Sequence, residues 1–181
     1  MSVAELIKVK KISSKEYKKL PRLSLNYGTT ATKFGNCLTA FRGDALCYLT
    51  FYDKEPPLDD LKKTWANAEL NENPPLVSTN VTKLFNSDHS NIEIYLKGTD
   101  FEIEVWEALL KLKKGTTASY EEVAKSVGRP KAVRAVARAI AKNNVAYVVP
   151  CHRVIRKNGS VHKYASGTQR KVDMLKSEGA I

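Results

Sequence analysis

Cysteine and histidine are scarce in this chain of 181 residues, which contains three of each. No histidine stands at zinc-finger spacing from a cysteine, and an odd number of cysteines does not suit a disulfide framework. We therefore expect no structural metal and a reducing compartment. Cys37 and Cys47 lie in strand-like, partly apolar stretches, where a cysteine is usually a buried thiol of the core.

Long apolar runs and a signal-peptide segment are also lacking. A membrane-spanning helix needs roughly 18 or more apolar residues, and no run in this chain approaches that length. We expect a protein that stays inside the cell, in the cytoplasm or the nucleus depending on its host. The length suits one large domain or two small ones.

Acidic residues are few relative to basic ones, with 19 Asp and Glu against 30 Lys and Arg and a formal net charge of +11. Such an excess of positive charge is typical of proteins that bind a polyanion, either nucleic acid or an anionic membrane surface. A basic protein without such a partner has the same composition, so the charge alone leaves both interpretations open.

The first half of the chain has the pattern of a small α/β unit. Short β-like runs alternate with turn residues over residues 23–52, which predicts an antiparallel meander, and the lysine-rich tract before it predicts an edge strand. Apolar residues then recur at helical spacing over residues 58–68, and we expect this helix to cover the sheet. Pro74 and Pro75 predict a break, and the polar residues 86–91 predict an interdomain loop. Nothing in this half carries recognisable chemistry, so we expect a scaffold.

The second half has the pattern of a helical domain. A helix is expected from about Asp100, and the capping-box pattern of Ser119 and Glu122 predicts a second helix that runs to Gly128. Pro130 is typical of a first helical turn and predicts a third helix. Two helices joined by a short link indicate a helix-turn-helix. The turn at residues 157–160 then predicts a hairpin or wing, and a last helix is expected from about residue 168.

The third of these helices has two different faces. Its apolar stripe consists of Val133, Val136, Ala137 and Ile140. The other face is basic around a small residue and consists of Lys131, Arg134, Ala135, Arg138 and Lys142. A basic face of this kind contacts phosphates or is simply solvated, and the pattern does not decide between the two.

The segment Pro150-Cys151-His152-Arg153-Val154 places a thiol beside an imidazole, directly after the apolar residues 145–149. A nucleophilic cysteine must be a thiolate, and His152 with Arg153 could supply the base and the positive charge that this requires. Glu178, on the last helix, is a candidate third member because a carboxylate orients an imidazole and stabilises the imidazolium. From this segment alone, a buried structural cysteine is the alternative.

This segment resembles the active-site signature of the O6-alkylguanine-DNA alkyltransferases, which repair alkylated DNA. Residues on both sides of it also stand at the spacings of that family, namely Ser119, Tyr120, Arg134, Ala135, Val136, Asn143, Tyr164 and Glu178. The resemblance is specific from about Gly98 to the C-terminus and only general before it.

The resemblance implies an α+β fold with two domains. Residues 1–91 would form a small antiparallel sheet with a helix, which is ribonuclease H-like in the family. Residues 92–181 would form a mostly helical domain, similar to a winged helix-turn-helix, that carries the active site and binds DNA.

The resemblance also implies DNA repair by direct reversal of damage. The alkyl group of O6-alkylguanine, with O4-alkylthymine as a further substrate left open, would pass irreversibly to Cys151. The protein would be a methylated-DNA–protein-cysteine S-methyltransferase that acts once and needs no cofactor. Some members of the family carry a structural zinc in the N-terminal domain, but this sequence shows no convincing ligand set for one. Its partner would be double-stranded DNA, bound through the minor groove by a monomer, with no membrane partner.

Five residues would form the catalytic set by this resemblance. His152 would take the thiol proton of Cys151 through a water, and Glu178 would hold the resulting imidazolium. Tyr120 would contact the rotated phosphate and give a proton to N3 of the departing guanine. Asn143 would brace the turn before the nucleophile.

Two further groups of residues are implied. Arg134 would fill the space of the extruded base, and the other DNA contacts would be Lys131, Ala132, Ala135, Arg138 and Tyr120, with Ala139 small enough for close approach to the groove. The base pocket would be formed by Tyr164, Val154, Ala165 and Pro150, partly through main-chain groups.

Three other functions stay open. A non-catalytic DNA-damage binder of the alkyltransferase-like type lacks the nucleophile, so Cys151 argues against it. A thiol hydrolase with a Cys-His-Glu triad would leave the basic helix around Arg134 without a purpose. A helix-turn-helix transcription factor would leave the Cys-His-Glu set unexplained.

Overall fold

A six-stranded mixed sheet forms the frame of the first half of the chain, in a computed structural model that describes residues 7–86 and 91–181. The strands, in chain order, are β1 Ile7–Ser13, β2 Leu23–Thr32, β3 Gly35–Arg42, β4 Ala45–Tyr52, β5 Ala68–Glu72 and β6 Ile92–Gly98. Their order across the sheet is β1-β6-β4-β3-β2-β5. The helices between them are α1 Ser14–Tyr17, α2 Leu58–Thr64 and α3 Pro74–Asn86.

The predicted meander is confirmed, because β2, β3 and β4 pair antiparallel in sequence. The prediction of a purely antiparallel sheet with one helix was wrong, since β1 and β4 both pair parallel with β6, and β5 pairs parallel with β2. Pro74 and Pro75 do not break the chain but form the first turn of α3, where a backbone N–H has no helical partner to lose. The predicted edge strand is β1.

The predicted division between residues 91 and 92 is not tested directly by the fold. Strand β6, which that division assigns to the second half, lies inside the six-stranded sheet between β1 and β4. One hydrophobic core also extends across the two halves, from Leu49 and Val81 to Trp106 and Val149. The central part of the predicted interdomain loop, residues 87–90, lies outside the described residues.

The second half is built from four helices and a short strand pair. They are α4 Asp100–Leu110, β7 Ala118–Ser119, α5 Tyr120–Ser126, α6 Val133–Ala141, β8 Val154–Ile155 and α7 Thr168–Glu178. The capping box at the start of α5 is confirmed, with the Glu122 amide donating to the Ser119 hydroxyl over 3.2 Å. Helix α6 begins three residues after Pro130, because residues 129–132 form a turn closed by a hydrogen bond from the Ala132 amide to the Arg129 carbonyl.

The predicted hairpin after Cys151 is only partly present. Its turn exists, since the Gly159 amide donates to the Arg156 carbonyl over 2.9 Å. Strand β8, however, pairs in parallel with β7 rather than with the segment that follows the turn. The wing-like and ribonuclease H-like descriptions of the two halves stay predictions. Among the described residues, no helix is long and apolar enough to cross a membrane.

Trp106 connects α4 to α6 and to the end of the sheet. Its indole Nε1 donates to the Ala139 carbonyl over 2.8 Å, and the residue is only 2% exposed. Gly98 lets the indole approach the backbone, because a Cβ atom at that position would lie 2.7 Å from the ring. This contact sets the distance between β6 and α6.

We expect Trp106→Ala to lower the free energy of unfolding by about 3–5 kcal/mol, because it empties a large buried volume and removes the hydrogen bond to α6. Urea denaturation followed by circular dichroism measures the change. Lys111→Ala, at the exposed C-terminal cap of α4, is the control and should change stability by less than about 0.5 kcal/mol. Equal effects in the two variants would contradict the role given to Trp106.

Candidate active site

The loop that carries Cys151 is attached to the centre of the sheet. The Leu49 amide of β4 donates to the Asn144 carbonyl over 2.7 Å, and the Ala146 amide donates back to the Leu49 carbonyl over 3.0 Å. A short 3-10 turn, Cys151–Arg153, follows this attachment. The irregular backbone before the cysteine is therefore held by a strand of the first half.

Asn143 braces this loop from the end of α6. Its side-chain Nδ2 donates to the Val149 carbonyl over 2.8 Å and lies 3.1 Å from the Sγ atom of Cys151. Its Oδ1 accepts a hydrogen bond from the Val145 amide over 2.9 Å. Asn143 lies just past the C-terminal cap of α6, which is Lys142. One amide thus joins the start of the loop, its end and the thiol.

Cys151 is a buried thiol, 6% exposed, at the wall of a small cavity. Burial raises the pKa of the thiol, while the Asn143 amide, the Tyr164 hydroxyl and the positive charge of Lys171 act to lower it. The Tyr164 hydroxyl lies 3.7 Å from Sγ. The resting thiol is therefore protonated, and ionisation requires a base.

Lys171 is the site residue that the sequence did not reveal. It is 1% exposed, donates from Nζ to the Val154 carbonyl over 2.5 Å, and lines the same cavity as Cys151. Burial lowers the pKa of its ammonium group, and the negative charge that Cys151 carries when it is ionised opposes that shift. The available signal was its position on α7, at helical spacing with the buried Met174 and Leu175, since a lysine in an apolar stripe is rarely buried without a partner.

His152, Arg153 and Glu178 form a buried ionic cluster behind the thiol. Glu178 Oε1 lies 2.9 Å from His152 Nε2 and 2.9 Å from Arg153 Nη2, and its Oε2 accepts from Arg153 Nε over 2.9 Å. Arg153 also donates to the Leu112 carbonyl over 2.6 Å. The expectation that Arg153 supplies the positive charge beside the thiol was therefore wrong, because its guanidinium is used by Glu178 and Leu112.

The electrostatics of this cluster define the protonation of His152. Burial opposes the charge on Glu178, but the hydrogen bonds from His152 and Arg153, together with the positive charge of Arg153, outweigh it and lower the pKa of the carboxyl to about 2. Burial also lowers the pKa of His152, against the opposing effect of Glu178. A neutral imidazole beside an ionised carboxylate carries its proton on Nε2. Its Nδ1 is then an acceptor, and it has no hydrogen-bond partner among the described residues.

The cavity beside Cys151 has a volume of about 80 Å³ and is built from distant segments of the chain. Its lining includes Thr50, Tyr120, Asn143, Tyr164, Ala165 and Ser166. Tyr164 and Ala165, predicted for the base pocket, therefore lie at it. Pro150 and Val154 are buried next to the cysteine but are not part of the lining, although the Val154 carbonyl binds Lys171.

An open groove continues from this cavity along α6. Tyr120, Ala137 and Lys163 belong to both the groove and the cavity, and Arg134 and Arg156 lie on the groove alone. These basic residues bring positive charge to the entrance of the thiol cavity.

Tyr120 lies where the groove meets the cavity. Burial raises the pKa of its hydroxyl, with a smaller contribution from the neighbouring Cys151.

The exposed side of α6 largely matches the prediction. Lys131, Arg134 and Arg138 are exposed, and Ala132 and Ala135 between them are half-buried. One expectation needs correction, because Ala139 is 2% exposed and packs inward, so it cannot lie at a groove. Lys142 is exposed as predicted and forms an ion pair with Glu102 over 2.8 Å. In the predicted apolar stripe, Val133 and Ala137 are half-buried, and Val133 packs against the core.

Comparison with known proteins identifies the family. The family model described as the DNA binding domain of 6-O-methylguanine DNA methyltransferase matches residues 100–180. The Escherichia coli bifunctional transcriptional activator/DNA repair enzyme Ada is 32% identical over 162 residues, which are 86% of this chain and 46% of Ada. The chain thus spans about half the length of that relative.

Two further proteins resemble this chain over almost their whole length. The crystal structure of Mycobacterium tuberculosis OGT in complex with DNA superimposes with a TM-score of 0.70 at 29% identity, covering 84% of this chain and 92% of that one. The constitutive methylated-DNA–protein-cysteine methyltransferase of Bacillus subtilis is 38% identical over 160 residues, which are 85% of this chain and 96% of the relative. On this evidence, the chain belongs to the family of methylated-DNA–protein-cysteine methyltransferases.

Proposed function

We propose that this protein repairs DNA by transferring the alkyl group of O6-alkylguanine to Cys151, once per molecule. The observation that carries the proposal is the position of the thiol. It lies in a cavity that opens into a basic groove. The next residue in the chain is His152, a neutral histidine whose Nε2 is hydrogen-bonded to Glu178. Membership of the methyltransferase family and the DNA complex of a relative support it.

The proposed substrate is double-stranded DNA, bound by a monomer with α6 in the minor groove. The net charge of +11 favours association with phosphates. Lys131 and Arg138 would contact the backbone, while Ala132 and Ala135 leave room for the groove wall. Free cysteines are typical of a reducing compartment, and the proposed substrate is DNA. We therefore place the protein in the compartment that holds the DNA of its host, which is the cytoplasm or the nucleus.

The lesion must leave the duplex to reach the thiol. Extruding a base costs a few kcal/mol, and a side chain that occupies the vacated space offsets part of that cost. Arg134 is the proposed side chain, because it is exposed on α6 and lies on the groove that leads to the cavity. Tyr164 and Ala165 would then form the wall against which the base stacks.

The chemical step is a displacement at the alkyl carbon. The thiol proton of Cys151 passes through a water to Nδ1 of His152, and Glu178 stabilises the resulting imidazolium. The thiolate, favoured by Asn143 and by the charge of Lys171, forms a bond to the alkyl carbon while the bond from that carbon to O6 breaks. Tyr120 gives a proton to N3, so that guanine leaves as the neutral base.

The chemistry of the product explains why each molecule reacts only once. The S-alkyl cysteine is a thioether and has no carbonyl group that water could attack, unlike an acyl-enzyme. No cofactor takes part in the transfer. A thiol hydrolase is disfavoured by the same cavity, because it opens onto the basic side of α6 rather than onto a cleft for an ester or a peptide.

The first prediction concerns the acceptor. After incubation with a duplex that contains O6-methylguanine, intact-protein mass spectrometry should show one added methyl group per molecule, located on Cys151 by peptide mapping. Cys151→Ala should gain no mass. Cys37→Ala removes a different buried cysteine and should still accept one methyl group. Methylation of another residue, or of more than one, would exclude the proposed transfer.

The second prediction concerns Arg134. Arg134→Ala should slow methyl transfer from duplex DNA by about 10- to 100-fold, because the extruded state loses a stabilisation of a few kcal/mol. Transfer from the same lesion in a single strand should be nearly unchanged. Arg138→Ala is the matched control and should only weaken binding, reducing the slope of log K against log salt by about one. An equal loss on both substrates would refute the role of Arg134.

The third prediction uses the pKa of Glu178. A shift from 4.5 to about 2 corresponds to about 3 kcal/mol, at about 1.4 kcal/mol for each pH unit. This stability is fully present above pH 4.5 and is lost as the pH falls through 2. Glu178→Gln should therefore cost roughly 2–4 kcal/mol at pH 7, with a smaller difference near pH 3, as measured by chemical denaturation.

The control for that measurement is Glu72→Gln, which changes an exposed carboxyl at the edge of the sheet. Its effect should be within about 0.5 kcal/mol at both pH values. A Glu178→Gln effect that does not depend on pH would show that the carboxylate charge is not what stabilises the cluster.

A further inference from the structure

Arg170 is a residue of α7 whose side chain binds the first half of the chain. Its Nε donates to the Phe34 carbonyl over 2.7 Å, in the turn between β2 and β3. Its Nη2 donates to Asp53 Oδ1 over 2.6 Å, just after β4. Its guanidinium also lies over the ring of Phe51, 5.3 Å from the centroid. One side chain therefore binds two segments of the N-terminal half.

The third nitrogen of the same guanidinium binds the cavity wall. Nη1 donates to the carbonyl of Ser166, and Ser166 with its neighbours Tyr164 and Ala165 lines the cavity beside Cys151. The Gly167 amide closes this segment into a turn by donating to the Tyr164 carbonyl over 2.9 Å. The wall against which the substrate base would lie is thus tied through Arg170 to the N-terminal half.

The turn between β2 and β3 is shaped to accept the guanidinium. A Cβ atom at Gly35 would lie 3.0 Å from Arg170 Nη2, and Gly35 has a φ of +108°, which side-chain-bearing residues rarely adopt. The Asp53 side chain is 80% exposed, so its ion pair adds little by itself. The anchor consists mainly of the two bonds to main-chain carbonyls, made by a side chain that is 11% exposed.

We propose that Arg170 is a positioning residue through which the N-terminal half holds the cavity wall, residues 164–166, in the geometry that alkyl transfer requires. The three bonds come from three different nitrogens spread over the guanidinium plane, whereas the three N–H groups of a lysine ammonium share one nitrogen, so lysine cannot reach all three acceptors together. The inference rests on the proposed function, and it gives the first half a part in the reaction beyond that of a scaffold. Arg170 itself touches neither the thiol nor the base.

The test compares Arg170→Met and Arg170→Lys with Lys176→Met. Lys176 is an exposed residue of the same helix, so its replacement removes an equal charge without touching the first half. Methyl transfer from duplex DNA should slow by about 10- to 100-fold in both Arg170 variants, since a small misplacement of the wall displaces the reacting carbon. The Kd for undamaged duplex should be unchanged, and Lys176→Met should transfer at the rate of the unmodified protein.

A second measurement does not depend on methyl transfer. Iodoacetamide labelling of each cysteine, read by peptide mass, reports how often the cavity opens. In the Arg170 variants Cys151 should label at least about fivefold faster, while Cys37 and Cys47 in the sheet should not, because only the wall loosens. The rate of amide hydrogen exchange in residues 163–168 should also increase in the Arg170 variants.

Three outcomes would overturn the inference. Unchanged labelling of Cys151 would show that Arg170 does not hold the wall. Equal acceleration at Cys37, Cys47 and Cys151 would show a general loss of stability instead. Faster labelling with an unchanged transfer rate would show that the position of the wall does not matter for the reaction. If the unmodified protein transferred no methyl group, the proposed function would fail, yet the labelling result would still decide whether Arg170 holds the wall.

Discussion

The carboxylate of Glu178 is the interaction on which the rest of the site depends. It is buried with His152 and Arg153, and it accepts hydrogen bonds from both. The cluster joins the end of α7 to the turn that carries Cys151, and Arg153 extends it to the end of α4. Removing one member of such a cluster leaves an uncompensated buried charge, which is strongly destabilising. The same carboxylate also keeps the proton of the neutral imidazole on Nε2, so that Nδ1 is left as an acceptor without a hydrogen-bond partner among the described residues.

The candidate active site is assembled by both halves of the chain. The cysteine loop hydrogen-bonds to Leu49 in β4, and the cavity includes Thr50 from the same strand. Tyr147, held at a φ of +72°, stacks its ring on His152 at 6.1 Å and on Phe85 of α3 at 4.7 Å. Together with Arg170, these contacts show that the first half shapes the surroundings of the thiol. These contacts surround a hydrophobic core that is continuous between the halves.

Much of the fold could be predicted because it depends on local chemistry. The meander, the capping box of α5 and the last helix follow from neighbouring residues alone. Strand β5 and helix α3 could not be predicted in this way. The short sequence of β5 gains its conformation from parallel pairing with β2, which is distant in the chain, and the two prolines at the start of α3 have the same pattern as a break. The start of α6 was misplaced because Pro130 also suits a turn.

By itself, the sequence determined the candidate nucleophile segment around Cys151, its histidine neighbour, the candidate carboxylate partner and the excess of positive charge, since each is a matter of residue type and spacing. Only the tertiary structure decided which cation lies near the thiol. It placed Lys171 there and directed Arg153 to Glu178, because burial and hydrogen-bond geometry are properties of packed segments. It also decided that Arg170 reaches the turn at Phe34, a contact between residues 136 positions apart that no local pattern encodes.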